Sequence, residues 1–334
     1  MRLHIFNCET EMALGFGGDS YTPPKRIRTL RRSLSLTPAL YAGPGDAILI
    51  LDDIAPEEIP SLKHYDDAKS KGLWIVTVDD LRNPSIRQTL SGSTVEPWGW
   101  NAQIRSFILK TMPWLKGIPS ESRITALRQL AHRRTTILFH SVIRDMLSTA
   151  RPDSLFLSEI KTPVEFSEPD KFAEWARNNT GVLKLPWSSS GRGVLFTDGT
   201  PTEKVIQWGL GAIKSQGRVI AEYAYDRTLD FATEWECRGG EVLFCGYSVF
   251  ETDEGGHYIR NVIASQEELR KVIADAAPEV DEDFIEIVKS AIERVIAPHY
   301  DGPLGIDMLA TEEGTINPCV EINLRHTMGI AAIR

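Results

Sequence analysis

Two stretches of this 334-residue sequence carry side chains whose types and spacing could do chemistry. The first runs from Lys184 through Pro186 and Trp187 into three serines, Ser188, Ser189 and Ser190, then Gly191, Arg192 and Gly193. Successive backbone N–H groups in such a loop can form a concave anion site, and a lysine beside it adds a point charge for phosphate. An ordinary hairpin loop has the same composition, so the stretch alone leaves both readings open. It is not a Walker A loop, because the lysine precedes the glycines. The second stretch, residues 319–325, alternates apolar residues with Glu321, Asn323 and Arg325. In a strand those three share one face. Asp307, on an apolar run shortly before, can come opposite them. Carboxylate and amide oxygens converging from two strands suit Mg²⁺, which takes hard oxygen ligands and keeps places for water and phosphate. A solvated sheet face with an ion pair is the alternative.

The elements that must hold these residues can be read in part. Apolar runs at 3–6, 47–51 and 73–78, separated by helical or loop segments at 24–40 and 56–71, predict a small parallel sheet. Ligands of such sheets gather beyond the carboxyl ends of the strands. The loop after the first strand holds Asn7, Glu9 and Glu11 and then Gly15 to Asp19, either a substrate-facing loop or a structural turn. Lys25, Arg26, Arg28, Arg31 and Arg32 form a basic cluster, a solvated helix face or an attractor for an acidic substrate. Trp98 and Trp100 are expected to pack on the helix that follows them. Gly117, Pro119 and Ser120 mark a boundary near 118. Leu127, Leu130, Leu138, Val142 and Met146 predict one face of a long helix, with His132, Arg133 and Arg134 midway as surface residues or anion ligands. Runs at 182–185 and 194–196 predict the strands of the lysine hairpin. Residues 218–224 predict a further strand, an edge strand able to offer its backbone to the rim of a purine. Residues 231–236 and 242–250 predict strands joined by a turn at Gly239 and Gly240, and 282–296 an amphipathic helix.

Composition excludes several classes. Apolar and charged contents of 42% and 25% are those of an ordinary globular protein. A net charge of -9 and a pI of about 5.4 argue against a nucleic-acid partner. The four cysteines form no C-x-x-C pair and are expected to be reduced, as in a cytoplasmic protein. The first residues lack a signal-peptide core, and no apolar run is long enough to span a bilayer.

Together, Arg134, Lys184 before the Ser/Gly-rich loop, Glu222, Asp307 and Glu321-Ile322-Asn323-Leu324-Arg325 resemble the ATP-grasp superfamily, over roughly residues 120–326. The resemblance implies an α/β fold, two α+β subdomains clamping a nucleotide, preceded by a small parallel-sheet α/β domain. The corresponding divisions are 1–118, 119–225 with the phosphate lid, and 226–334 with the metal site. It also implies roles. Lys184 and Arg134 would contact ATP phosphates, and backbone amides of Ser189, Ser190, Gly191 and Gly193 would fold over them. Glu222 with the backbone of Tyr223 and Ala224 would hold adenine, and Asp230, or Asp226 in its place, the ribose. Asp307, Glu321 and Asn323 would bind Mg²⁺, and Arg325 would stabilise the transferred phosphoryl group. His326 beside it is either a proton acceptor or structural. Several relatives have an Arg two residues before the position of Asp307, where this chain has Gly305, and the chain stops nine residues after Arg325, as a truncated chain would.

The activity so implied is an ADP-forming ligase that turns a small-molecule or peptide carboxylate into an acyl phosphate for attack by an amine or thiol, with ATP and Mg²⁺ and no nucleic-acid or membrane partner. A homodimer is compatible with it. A kinase acting on a small-molecule hydroxyl, and a nucleotide-binding regulatory domain with little turnover, are the alternatives. No Ser-His-Asp or Cys-His arrangement competes with phosphoryl transfer, which needs positioning and charge neutralisation above all.

Overall fold

A computed structural model describes residues 1–188, 193–197, 202–253 and 255–333. The chain divides into two compact units, residues 1–128 with 325–332, and residues 129–324 with Ile333.

The first unit is built on four parallel strands, β1 (Arg2–Ile5), β2 (Ala47–Ile50), β3 (Trp74–Thr77) and β4 (Thr94–Pro97), in the order β3-β2-β1-β4. The sequence reading anticipated the first three strands; Thr94–Pro97 is short, polar in part and ends in proline, so no periodic signal marks it. Both sheet faces are covered, as a parallel sheet requires. Leu3, Ile5, Ala47 and Leu49 face a core shared with Ile104 and Ile108 of the helix Ala102–Thr111 and with Met112, which follows it. Ile48 and Ile50, one residue out of phase, face a second core with Leu36, Ala39, Ala68 and Leu73. Asn101 caps the helix by accepting from the Ile104 N–H at 2.9 Å. Trp98 is buried, with its ring edge-on to Phe6.

The second unit holds two antiparallel sheets. The smaller contains β5 (Val164–Phe166), β6 (Gly181–Lys184), β7 (Val194–Thr197) and β8 (Val219–Glu222) in the order β5-β8-β6-β7. The larger contains β9 (Arg227–Arg238), β10 (Glu241–Thr252), β11 (Tyr258–Asn261), β12 (Gly302–Thr311) and β13 (Ile316–Asn323) in the order β11-β10-β9-β12-β13. Gly239 and Gly240, both at positive φ (57° and 89°), join β9 to β10 in the two-residue turn that matches strand twist. On one face of this sheet Phe231, Thr233, Trp235, Ile306 and Met308 are buried. The helices Gln266–Ala276 and Glu282–Val295 pack against the sheet, and Arg134–Ala150 packs on β13. Among the described residues no helix is long and apolar enough to cross a membrane.

Three expectations change. The long helix predicted from Leu127 to Met146 is two, Glu121–Leu130 and Arg134–Ala150, broken at His132 and Arg133. Leu138 is 53% exposed, and the buried face is Thr136, Phe139, His140, Ile143 and Leu147, because the break shifts the helical phase. The strand expected at the edge, β8, lies between β5 and β6 and ends at Glu222, so Tyr223 and Ala224 follow it outside the sheet. Finally, β13 ends at Asn323, and Arg325 belongs with the first unit rather than continuing the strand face.

Helix Glu203–Gln216 gives a packing test. A Cβ on Gly209 would stand 2.1 Å from the Phe172 ring, whereas one on Gly211 would meet nothing within 4 Å. Gly211→Ala should stabilise the protein by about 0.5–1 kcal/mol through helix propensity. Gly209→Ala should destabilise it by about 1–3 kcal/mol through overpacking. Denaturant midpoints of the two variants should move in opposite directions.

Candidate functional site

Lys184 closes β6 and is buried. A buried ammonium is costly unless paired. Its Nζ lies 2.5 Å from Glu222 Oε2, at the end of β8, and donates to the Val320 carbonyl of β13 at 3.2 Å. The lysine therefore links the smaller sheet to the backbone of the larger one. Glu222, expected at adenine, is held on the lysine.

Arg133 is the functional candidate that the resemblance passed over in favour of its neighbour. It occupies the break between two helices, and its backbone N–H donates to the Pro186 carbonyl at the base of the lysine hairpin (3.0 Å). Nη2 donates to Ser188 Oγ at 3.1 Å and to Glu321 Oε1 at 2.9 Å. Its Nε and Nη1 are buried with no hydrogen-bond partner among the described residues. Buried donors are normally satisfied, so two open ones on a cation point to an acceptor that binds there. Arg134 instead points its 44%-exposed side chain to Glu165, 3.3 Å away. The signal in the sequence was the basic pair itself; which member turns inward depends on where the helix breaks.

Gly193 adopts a positive φ of 71°, and its carbonyl accepts from the Leu185 N–H at 2.8 Å, closing the hairpin base. Ser189, Ser190 and Gly191 lie outside the described residues.

Asp307 on β12 stands directly opposite Glu321 on β13. Asn323 Nδ2 donates to Asp307 Oδ2 at 3.0 Å, which leaves the amide oxygen as the acceptor of that side chain. Two carboxylates and one amide oxygen on adjacent strands are all hard oxygens, and Arg133 already supplies one positive charge at Glu321. The set fits Mg²⁺ as part of a shell completed by water and phosphate oxygens. Among the described residues no three His, Cys, Asp or Glu side chains enclose a metal by themselves.

Further residues surround the end of β8. The Lys161 ammonium lies over the Tyr223 ring, 4.3 Å from its centroid, and Lys161 N–H donates to the Tyr225 hydroxyl at 2.8 Å. Ala224 and Asp226 are exposed. Asp230 Oδ2 accepts from Thr252 Oγ1 at 2.6 Å, with Arg227 3.4 Å away.

In the first unit Arg325 Nε donates to Glu11 Oε1, and His326 Nε2 lies 3.2 Å from Glu96 Oε1. The His326 ring stacks on Tyr41, and the His326 backbone N–H donates to the Trp98 carbonyl. Glu96 is also near His4 and Arg2. Although burial opposes its charge, hydrogen bonding and attraction from His326, with His4 and Arg2 adding, pull the Glu96 carboxyl down to about 2.

Solved structures resemble this chain at low identity. One is N5-carboxyaminoimidazole synthetase from Staphylococcus aureus complexed with ADP, at 12% identity and a TM-score of 0.50 over 99% of this chain and 76% of that one. Another is biotin carboxylase from Campylobacter jejuni in its beta-gamma-ATP complex, at 11% identity and a TM-score of 0.54 over 99% of this chain and 67% of that one. At such identities the likeness is one of fold. No family model matches the sequence, and no curated protein matches it.

The Glu96 cluster predicts an acid limb. A carboxyl lowered on folding adds stability above its ordinary value of 4.5, and that stability is lost as the pH falls toward about 2. Glu96→Gln should flatten the loss of thermal stability across that window relative to wild type, read by melting at stepped pH.

Proposed function

We propose that this chain, which has the ATP-grasp fold, is an ATP- and Mg²⁺-dependent ligase that activates a substrate carboxylate for attack by an amine or thiol, releasing ADP. The observation that carries the reading is the pair of buried cations Lys184 and Arg133. One is held by Glu222 and a β13 carbonyl. The other has two open donors beside Glu321. Fixed positive charge of this kind suits a polyphosphate. In this reading 119–225 and 226–334 form the two halves of the nucleotide clamp, and 1–118 precedes it.

In the reaction, a carboxylate oxygen bonds to the γ-phosphorus and the bond from phosphorus to the β–γ bridging oxygen breaks, so ADP leaves with that electron pair. The nucleophile then bonds to the acyl carbon and loses its proton, and inorganic phosphate leaves with the carbon–oxygen pair. Lys184 and Arg133 oppose the phosphate charge throughout. Glu222 fixes the lysine, so adenine recognition falls to the backbone of Tyr223 and Ala224, with Asp230 at the ribose. Gly193, with Ser189, Ser190 and Gly191, supplies amides to the phosphates. Arg325 steadies the transferred group. Asp307, Glu321 and Asn323 would hold Mg²⁺, whose charge neutralises phosphate oxygens.

A thermal-shift titration with ATP, ADP, GTP and NAD, with and without Mg²⁺, tests the reading. Wild type should melt higher with ATP or ADP in a Mg²⁺-dependent way and show no shift with NAD. Lys184→Ala should lose the nucleotide shift. Because it leaves Glu222 buried without its cation, it is read beside the double variant Lys184→Met/Glu222→Gln, which should also lose it while melting cooperatively. Glu321→Gln should show a weaker Mg²⁺ dependence. Wild type unresponsive to every adenine nucleotide, or an unchanged shift in the lysine variants, overturns the assignment.

A further inference from the structure

A buried histidine stands beside the Arg133 turn, and the nucleotide chemistry gives it no task. His132 is 3% exposed and lies between the helices Glu121–Leu130 and Arg134–Ala150. The start of a helix leaves its first N–H groups without partners inside that helix. Here the Thr135 N–H reaches the His132 carbonyl at 2.9 Å, and the Thr136 N–H reaches the Arg133 carbonyl at 3.1 Å. The Arg134 N–H takes a side chain instead, His132 Nδ1, at 2.9 Å. The Leu130 carbonyl, four residues back, is already engaged by Thr135 Oγ1 at 2.7 Å.

A ring nitrogen that accepts a hydrogen bond carries no proton. These partners therefore assign the ring hydrogen to Nε2, which faces Glu165 Oε1 at 3.9 Å. The ring also meets Trp187 edge-on, with centroids 4.5 Å apart. The Trp187 N–H donates to Gln216 Oε1 at 3.3 Å, and the preceding Pro186 carbonyl accepts from the Arg133 N–H at 3.0 Å. One imidazole thus caps a helix and packs on the base of the lysine hairpin. The bond from residue 134 back to side chain 132 has the pattern of an Asx turn. It encloses Arg133 and fixes the backbone from which that guanidinium leaves. One helical step turns a side chain by about 100°. Where the helix starts therefore decides which arginine of the pair faces inward.

We propose that His132 is a positioning residue for Arg133. Its Nδ1 closes the turn that sets the helical phase and so brings Arg133, with its open Nε and Nη1, to the buried position. That the acceptor awaited by Arg133 is a nucleotide phosphate rests on the ligase reading above; the positioning itself does not.

Two substitutions separate the acceptor from the ring. His132→Asn keeps an acceptor the same number of bonds from Cα and loses the ring. His132→Phe keeps the ring against Trp187 and loses the acceptor. By calorimetry with Mg²⁺ present, His132→Asn should bind ADP within about twofold of wild type, since Asn is a favoured cap. His132→Phe should bind it roughly tenfold or more weakly, the scale of one lost contact to a charged group. Arg133→Met should weaken ADP to a similar extent, and adding His132→Phe to it should cost little more, because both changes remove the same contact. A second readout needs no nucleotide. In protein carrying isotope-labelled arginine, the Arg133 Nε–H signal, identified by its loss in Arg133→Met, should resist solvent exchange in wild type and His132→Asn and exchange fast in His132→Phe.

Wild-type ADP affinity in His132→Phe, equal weakening in His132→Asn, or additive losses in the double variant overturns the inference while the nucleotide reading stands. Wild type that binds no ADP overturns the nucleotide reading, and the exchange experiment then decides the positioning: a protected Nε–H in His132→Phe overturns it, and fast exchange there alone supports it. Should His132→Phe fail to fold, His132→Asn decides, and an affinity tenfold below wild type overturns the inference.

Discussion

The second unit depends on burying the Lys184 ammonium. Such a charge is tolerated inside a protein only with an opposite charge and further acceptors in good geometry. Glu222 supplies the first from the neighbouring strand, and the Val320 carbonyl the second from the other sheet. Because both partners are fixed by strand hydrogen bonds, the lysine is fixed too. The same region receives the Arg133 turn, whose backbone bonds to Pro186 and whose side chain bridges Ser188 to Glu321. Two buried cations are thereby held at β6 and β13 by elements distant in sequence.

The sheets explain why these residues are rigid. In the five-stranded sheet the period of two sends Phe231, Trp235 and Met308 to the buried face. It leaves Asp307 and Glu321 opposite each other on the other face. Changing the register by one residue would move the apolar side chains out with the carboxylates moving in, so core packing enforces the oxygen set. In the first unit the parallel sheet is covered on both faces, and its polar residues collect where strands end. There Asn7, Glu9, Thr10 and Glu11 are all buried.

Where the sequence reading and the structure part, the cause is tertiary in each case. A helical stripe fitted through Leu138 ignored a break that moves Phe139 and Ile143 inward and brings Arg133, not Arg134, to a buried position. Alternation carried Arg325 onto the strand face, yet the strand stops at Asn323 and the arginine pairs with Glu11 from the start of the chain. Residues 218–224 have the apolar alternation of a strand at any place in a sheet. That β8 lies inside its sheet follows from β5, a three-residue strand with no periodicity to read.

The sequence by itself determined the α/β class, three of the parallel strands, the lysine hairpin and the pairing of the Asp307 and Glu321 strands, because these rest on local hydrophobic period and turn chemistry. It also determined the ATP-grasp resemblance, because that rests on residue types in a fixed order. Only the tertiary structure decided that Glu222 faces Lys184, that Arg133 rather than Arg134 is buried, and that Glu11 meets Arg325. Those outcomes depend on contacts between residues tens to hundreds of positions apart. No local propensity encodes such contacts; they are set by which arrangement buries the apolar faces while leaving no charge without a partner.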